Sequence, residues 1–141
     1  MDRRADAKWS GDLKGGKGHI TLGSGAFEGS YSFDSRFGSA SDTNPEELLG
    51  AAHAACFSMA LASALAKAGH PPTSVDTTAS VHLEMGDGSS SITRIDLTTR
   101  GVVPGLDAET FASAAEETKK TCIISRALAS VPMTLDAKLI G

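Results

Sequence analysis

The chain has 141 residues, of which 40% are hydrophobic, 21% are charged and only 5% are aromatic. This length and composition predict a single globular domain, residues 1–141, with a core built mainly from aliphatic side chains. The formal net charge is −4 and no run of Lys or Arg exceeds two residues. Such a surface argues against a nucleic-acid-binding protein, which needs a basic patch to contact phosphates.

The N-terminal part of the chain predicts β-strands. Residues 8–22 contain two short apolar segments around a Gly-rich turn, as in a β-hairpin. Residues 30–37 alternate between polar and aromatic side chains, which predicts a third strand. Arg36 then points away from the face that carries the aromatic residues Tyr31, Phe33 and Phe37.

The next segment, rich in Ala and Leu, predicts a long central helix. Asn44 fits the N-cap, Pro45 the first helical position, and Glu47 the position that closes a capping box, while Gly69 ends the helix. The helix is apolar on nearly every side, so we expect both a sheet and a second subunit to bury it. It is long enough to cross a bilayer, but its composition, with His53 inside and no aromatic belt, favours a buried helix.

The remainder of the chain predicts two more strands, a second helical region and a final strand. Residues 75–85 and 92–98 alternate around a Gly-Asp-Gly turn, as in a hairpin. Asp107 fits the N-cap of a helix that ends near Lys119 and Lys120, or restarts at Thr121 as a short helix through Leu128. Residues 133–139 alternate again. The order βββ-α-ββ-α-β predicts an α+β fold with a mainly antiparallel sheet around the buried central helix.

The chain has only two cysteines, Cys56 within the long helix and Cys122 in the second helical region. The charged N-terminus does not resemble a secretory signal, so a cytoplasmic location is expected. Disulfides in the reducing cytosol are usually transient and serve catalysis or redox sensing. We therefore expect a reversible dithiol–disulfide cycle.

The segment Asn44–Leu61, with the sequence Asn-Pro-Glu-Glu-Leu-Leu-Gly-Ala-Ala-His-Ala-Ala-Cys-Phe-Ser-Met-Ala-Leu, closely resembles the central helix of the osmotically inducible protein C and organic hydroperoxide resistance (OsmC/Ohr) family. Within it, residues 51–57, Ala-Ala-His-Ala-Ala-Cys-Phe, resemble the osmotically inducible branch of the family more than the organic hydroperoxide resistance branch. The resemblance extends along nearly the whole chain, to residues 9–14, 35–37, 72–79 and 121–139.

This resemblance implies an intertwined homodimer and a thiol-dependent peroxidase that reduces organic hydroperoxides to alcohols in oxidative or osmotic stress defence. It places the peroxidatic cysteine at Cys56, the resolving cysteine at Cys122, and the family's functional arginine and glutamate at Arg36 and Glu46. It also implies that an external dithiol of the lipoyl or thioredoxin type acts as reductant, with no bound cofactor or metal and no nucleic-acid or membrane partner. Relatives commonly have proline directly after the second cysteine, where this chain has Ile123.

The chemistry of a thiol inside a helix suggests why Arg36 is needed. Cys56 lies far from the helix N-terminus, where the helix dipole acts, and burial would raise the pKa of its thiol. The guanidinium of Arg36 is the candidate cation that stabilises the thiolate and binds a peroxide oxygen. Glu46 would hold Arg36 in place. Ten helical residues span about 15 Å, so we expect a composite site in which Glu46 of one protomer lies near Cys56 of the other.

Other interpretations use some of the same residues. A redox-sensing or ligand-binding protein, whose disulfide switches conformation without turnover, would need only the two thiols. His53, one helical turn before Cys56, could belong to a cysteine hydrolase, although no oxyanion-hole motif is present and a core or interface histidine is favoured. His53 and Cys56 with Cys122 or His70 could bind zinc, but the sequence lacks the paired ligand clusters of structural zinc sites.

Overall fold

A computed structural model describes residues Met1 to Gly141 and confirms the α+β class. The chain forms two compact units, Met1–Leu48 and Leu49–Gly141, and each unit contains one three-stranded sheet. The elements are, in order, β1 (Ala5–Ser10), β2 (Lys17–Leu22), β3 (Glu28–Tyr31), α1 (Phe33–Phe37), α2 (Pro45–Lys67), β4 (Ser74–Gly86), β5 (Ser89–Val102), α3 (Ala108–Thr121), α4 (Ile123–Ala127) and β6 (Met133–Leu139).

The first unit is an antiparallel sheet in the order β1-β2-β3, which confirms the predicted N-terminal hairpin. Gly18 lies opposite Trp9 on one side and Tyr31 on the other. A side chain at position 18 would collide with the Tyr31 ring. The glycine thus lets the rings of Trp9 and Tyr31 approach across the middle strand, with centroids 5.5 Å apart.

The predicted strand over residues 30–37 is wrong, because β3 ends at Tyr31 and the short helix α1 follows. Ser32 is the helix N-cap: its hydroxyl accepts from the Ser35 backbone N–H, and the Ser35 hydroxyl accepts from the Ser32 N–H. This capping box stops the strand. Arg36 therefore lies on a helix, with its guanidinium 5.3 Å from the Phe37 ring centroid, and does not point away from the aromatic residues.

Helix α2 begins and ends where the sequence predicts. The Glu47 backbone N–H donates to Asn44 Oδ1 over 2.8 Å, as an N-cap requires. The reciprocal half of the capping box is absent, since the Glu47 carboxylate accepts from the Thr43 hydroxyl instead. At the other end, Gly69 has a φ of +90°, a conformation that suits glycine after a helix.

The second unit holds the apolar core. Its sheet has the order β4-β5-β6, in which β4 and β5 are antiparallel but β5 and β6 are parallel. The parallel pair follows from the crossover through α3 and α4, which returns the chain to the same end of the sheet. Helices α2 and α3 pack on this sheet around a set of buried side chains: Phe57, Leu61, Leu65, Ile95, Leu97, Val103, Phe111, Ala115 and Cys122.

Helix α2 is less buried within one chain than its composition predicts. Phe57, Leu61 and Leu65 recur at every fourth residue and are at most 2% exposed, whereas Met59 on another face is 75% exposed. Within the most apolar 18-residue window, 28% is buried. The helix is long and apolar enough to cross a bilayer, with a mean hydropathy of 1.7, but core helices of soluble proteins meet the same criterion. One chain thus covers only one face of this helix.

Candidate active site

The two cysteines meet in the second unit. Cys56 is half-buried on α2, and Cys122 is buried at the junction where α3 ends and α4 begins. Their sulfur atoms are 3.1 Å apart and both are free thiols. A disulfide bond is about 2.05 Å long, so a shift of roughly 1 Å would bring the two sulfurs to bonding distance.

The surroundings of the two thiols shift their pKa values in opposite directions. Burial raises the pKa of Cys56; the Ile124 backbone N–H opposes this shift, and the neighbouring Cys122 sulfur adds to it. Burial also disfavours ionisation of Cys122, but the Ser125 backbone N–H, the Cys56 thiol and the Ser125 hydroxyl outweigh it and lower the pKa of Cys122. The groups that favour ionisation of either thiol in this unit are thus amide, thiol and hydroxyl dipoles.

Arg36 and Glu46 meet in the first unit. Arg36 Nη2 lies 2.7 Å from Glu46 Oε1, and Arg36 Nε lies 3.0 Å from the same oxygen. The Glu46 side chain is 9% exposed and that of Arg36 is 41% exposed. A planar guanidinium bound in this way has a fixed orientation, and its Nη1 group has no protein partner.

A pocket of about 260 Å³ opens beside this ion pair. Its walls are aromatic and aliphatic, with Arg36 as the only charged side chain. The lining residues are Trp9, Leu13, Tyr31, Ser32, Phe33, Arg36, Phe37 and Pro45. An apolar pocket with one oriented cation suits a ligand that has an alkyl or aryl group and a polar end.

The structure therefore groups the predicted residues into two pairs, Cys56 with Cys122 and Arg36 with Glu46. The pairs belong to different units of the chain. The helical position of Arg36 was missed because residues 30–37 alternate like a strand. Phe33 and Phe37 are also four residues apart, however, and their rings contact each other at 5.0 Å as helical neighbours do.

His53 is a core histidine, as favoured from the sequence. Its side chain is fully buried, and Nε2 lies 2.7 Å from the Ser125 hydroxyl. The hydrogen-bond partner of the ring is thus Ser125 rather than Cys56, which differs from the nucleophile–base pair of a cysteine hydrolase. No three side chains of the metal-binding types are grouped as a metal site would require. Ser125 was missed, and its only sequence signal is its place one helical turn after Cys122.

Comparisons with known proteins identify the family. Residues 38–136 match the family model described as OsmC-like protein. The chain is 46% identical over 140 residues to the protein named Peroxiredoxin OsmC from Escherichia coli strain K12, with 99% of this chain and 97% of that protein covered.

Solved structures show the same fold. The organic hydroperoxide resistance protein OhrB of Bacillus subtilis superposes with a TM-score of 0.74 at 25% identity, over 96% of this chain and 98% of that one. An organic hydroperoxide resistance protein from Elizabethkingia anophelis gives a TM-score of 0.77 at 22% identity, over 99% and 98% of the two chains. This chain belongs to the OsmC-like protein family.

Proposed function

We propose that this protein is a thiol-dependent peroxidase that reduces organic hydroperoxides to alcohols. One observation carries the proposal: the two free thiols lie 3.1 Å apart in a chain that is 46% identical to a peroxiredoxin over nearly its whole length. A peroxidase that forms an intramolecular disulfide needs its two sulfurs within reach of each other. The half-buried Cys56 is the more accessible of the two and is assigned the first step.

The reaction has three balanced steps. The Cys56 thiolate attacks the distal oxygen of the hydroperoxide, the O–O bond breaks, and protonation of the leaving oxygen gives an alcohol and a sulfenic acid on Cys56. The Cys122 thiolate attacks the oxidised sulfur, forming the disulfide and releasing water once the hydroxyl is protonated. An external dithiol of the lipoyl or thioredoxin type then reduces the disulfide by exchange and becomes oxidised itself.

Arg36 is the proposed cation of the first step. A guanidinium close to a buried thiol favours the thiolate and can donate a hydrogen bond to the peroxide. Glu46 orients that guanidinium through the bonds described above. We assign both residues to catalysis, with Arg36 contacting the reacting atoms and Glu46 acting through Arg36.

The pocket beside Arg36 supports an organic substrate. Its walls are largely apolar, so an alkyl or aryl group would be desolvated there at about 25 cal/mol per Å² of buried surface. Hydrogen peroxide has no apolar group to bury against these walls and so obtains no such binding free energy. The substrate class is therefore an organic hydroperoxide whose apolar group occupies this pocket.

We further propose a homodimer in which each site combines Arg36 and Glu46 of one protomer with the thiols of its partner. Support comes from the exposed apolar face of α2, where Met59 is 75% exposed, since a second chain would bury it. The distance of about 15 Å between Glu46 and Cys56 along one helix is the second argument. Sedimentation should give a dimer at micromolar concentration, and Met59→Glu should weaken it; a wild-type monomer would contradict this assembly.

Steady-state turnover tests the peroxidase function. The protein should consume tert-butyl or cumene hydroperoxide continuously with a dihydrolipoyl or thioredoxin reductant, and faster than hydrogen peroxide. Cys56→Ser should lower this rate by at least about 10³-fold, because the only other thiol, Cys122, is 2% exposed and is not placed to meet the peroxide first. The Cys122→Ser variant keeps Cys56 and should therefore still reduce about one equivalent of peroxide. Oxidation of the wild type once, without turnover, would instead indicate a redox sensor.

A further inference from the structure

The surface of the second unit carries a groove that the steps described so far do not use. It lies between the end of α3, helix α4 and the start of β6, and its volume is about 540 Å³. Three cations line it, Lys119, Lys120 and Arg126, and none of its lining residues is acidic. This is a local excess of positive charge on a chain whose formal net charge is −4.

Two of the three cations are free to bind a partner. Lys119 Nζ lies 2.6 Å from Glu116 Oε1 and its side chain is only 23% exposed, so this lysine is already paired. Lys120 Nζ is 3.9 Å from Glu117 Oε2, and its side chain is 65% exposed. Arg126 is exposed and forms no ion pair within its unit. Lys120 and Arg126 can therefore accept a new carboxylate while losing little, because a loose surface pair is worth almost nothing.

The uncharged part of the groove is mostly apolar and held in place. Val131, Pro132 and Met133 line it. The Val131 N–H donates to the Leu128 carbonyl over 2.9 Å, and the Pro132 carbonyl accepts from the Ile95 N–H over 2.9 Å. The segment between α4 and β6 is thus bound to both the helix and the sheet. Apolar contacts with charged groups at their rim are typical of protein-binding surfaces, and a fixed surface binds without an ordering cost.

The groove shares a helical turn with the resolving thiol. Cys122 joins α3 to α4, two residues after Lys120 and four before Arg126. The Arg126 N–H donates to the Cys122 carbonyl over 2.9 Å. Ser125, which also lines the groove, is 3% exposed and belongs to the same turn. A molecule seated in the groove therefore contacts the turn of helix that carries the Cys122 sulfur.

The last step of the proposed reaction needs a partner that comes this close. Cys122 is 2% exposed and Cys56 is half-buried, so the reductant must be held against the surface around them to reach their disulfide. Cations on an otherwise acidic chain attract and orient an acidic protein. Two free cations are too few for a nucleic acid, whose binding depends on many phosphate contacts.

We propose that this groove between α3, α4 and β6 is the docking surface for the protein that carries the reducing dithiol, and that acidic side chains surround the dithiol on that protein. This inference rests on the proposed peroxidase function. One thiolate of the dithiol attacks the Cys56–Cys122 disulfide and forms a mixed disulfide. The second thiolate breaks that bond and closes the partner's own disulfide, and the two protons of the dithiol pass to Cys56 and Cys122. The cations act on encounter and binding, and the bond exchange itself does not use them.

The test starts from the disulfide form, prepared with diamide so that no peroxide is needed. Two reductants share the same chemistry: free dihydrolipoamide, and a dihydrolipoyl domain of net negative charge. Lys120→Glu combined with Arg126→Glu should lower the rate constant of reduction by the domain about tenfold, because two attractive contacts become repulsive. Reduction by free dihydrolipoamide should keep its wild-type rate. Maleimide labelling of the thiols released over time measures both rates.

Salt and a second pair of variants give the controls. Added salt should slow reduction of the wild type by the domain, and this dependence should be lost in the groove variant, because salt screens exposed charges. Lys8→Glu combined with Lys67→Glu reverses two other exposed lysines and changes the net charge by the same amount. Neither lysine lines the groove, so this control should keep the wild-type rate with both reductants.

Equal rate constants for the domain in the wild type and the groove variant would overturn the docking surface, as would a wild-type disulfide that the domain does not reduce. An equal loss with free dihydrolipoamide would show that the cations act on the thiols themselves. A changed sedimentation coefficient of the groove variant would make the groove an interface between copies of this chain. Either of these two results would also overturn it. If the wild type consumes no hydroperoxide, the peroxidase function fails, while reduction of the diamide-made disulfide still decides the docking surface.

Discussion

The two units of this chain stabilise their polar pairs in opposite ways. In the first unit, Arg36 and Glu46 carry full charges, and the guanidinium remains 41% exposed to water. In the second unit, the thiols are neutral in their protonated form, and they lie against an apolar core together with Ser125 and His53, whose pKa is lowered by burial. A charge in such a core costs several kcal/mol unless it is paired. The Arg36 guanidinium therefore remains partly hydrated in the first unit, whereas the two thiols lie against the apolar core of the second.

This difference separates two sources of thiolate stabilisation. In the second unit, the groups that lower the pKa of either thiol are dipoles, from backbone N–H groups, the other thiol and the Ser125 hydroxyl, and their sum favours ionisation of Cys122 over that of Cys56. A low pKa at Cys56 would have to come from a cation outside its own unit. Each prediction below removes one charge, one buried ring or one dipole, in order of decreasing effect.

The largest effect, on the rate of hydroperoxide reduction, is expected when the Arg36 guanidinium is removed. Arg36→Ala should lower the rate of hydroperoxide reduction by about a hundredfold, the scale of losing one oriented donor at a reacting oxygen. If Arg36 acts on Cys56 as proposed, the variant should also raise the pH midpoint for alkylation of Cys56 by iodoacetamide by at least about one unit, since a guanidinium beside a thiol favours the thiolate by that much or more. Stopped-flow kinetics and timed alkylation measure the two effects.

Two variants control this experiment. Arg36→Lys keeps the positive charge but loses the forked donor. The rate of hydroperoxide reduction should therefore still fall, while the pH midpoint of Cys56 alkylation should shift less than in Arg36→Ala. Arg100→Ala breaks another arginine–carboxylate pair, that of Arg100 with Asp136 at 2.8 Å, and should leave both values unchanged. Full activity in Arg36→Ala would remove Arg36 from the mechanism.

Local signals in the sequence predict the helix ends well. Asn44 and Asp107 are N-caps in the structure, since a side chain that accepts from a backbone N–H three residues later depends only on nearby residues. The same kind of signal was overlooked at Ser32 and Ser35, where an alternating pattern outweighed a capping box. Two local patterns competed there, and the alternation of eight residues was the weaker one.

The site depends on tertiary contacts that no spacing rule predicts. Cys56 and Cys122 are 66 positions apart, so their approach could be anticipated only through the resemblance to a family. Ser125 is an example of a site residue that the sequence does not reveal. A serine in a short helix is ordinary, and what distinguishes this one is its hydrogen bond with His53, 72 positions away. Similarly, the exposed face of α2 cannot be distinguished from the buried one in a helix that is apolar on nearly every side.

An intermediate effect, on stability, is expected from protonation of the buried His53 ring. His53 has a lower pKa in the folded protein than its ordinary value of 6.5 because burial disfavours its charge. Below about pH 6.5 the unfolded chain therefore binds a proton that the folded chain does not. Stability is complete above this pH and is lost as the pH falls toward the folded-state pKa, by up to about 1.4 kcal/mol for each pH unit.

Urea unfolding between pH 7.5 and 5 measures this loss. The slope of unfolding free energy against pH should be shallower in His53→Gln, whose side chain does not ionise. His19→Gln is the matched replacement of an imidazole by an amide outside the buried core, because the His19 side chain is 51% exposed. Equal slopes in wild type and His53→Gln would show that the ring is not held neutral by burial.

The smallest effects are expected from replacing Ile123 with proline. Cys122 has φ −53° and ψ 135°, a conformation favoured before proline, and Ile123 is the first residue of α4, where proline is also favoured. The Ile123 side chain is 73% exposed. Ile123→Pro should therefore change the unfolding free energy by no more than about 0.5 kcal/mol, because restriction of the unfolded chain offsets the loss of the Ile123 N–H contact with Cys56.

The same substitution removes a backbone donor from the thiol site. Burial raises the pKa of Cys56, and the N–H groups of Ile124 and Ile123 partly offset it. Proline has no N–H, so the pKa of Cys56 should rise further and hydroperoxide reduction should slow by up to about threefold at pH 7 but not at pH 9. Ile123→Ala keeps the N–H and should leave the rate unchanged. A faster Ile123→Pro enzyme at pH 7 would mean that the rigid turn matters more to the reaction than the lost dipole.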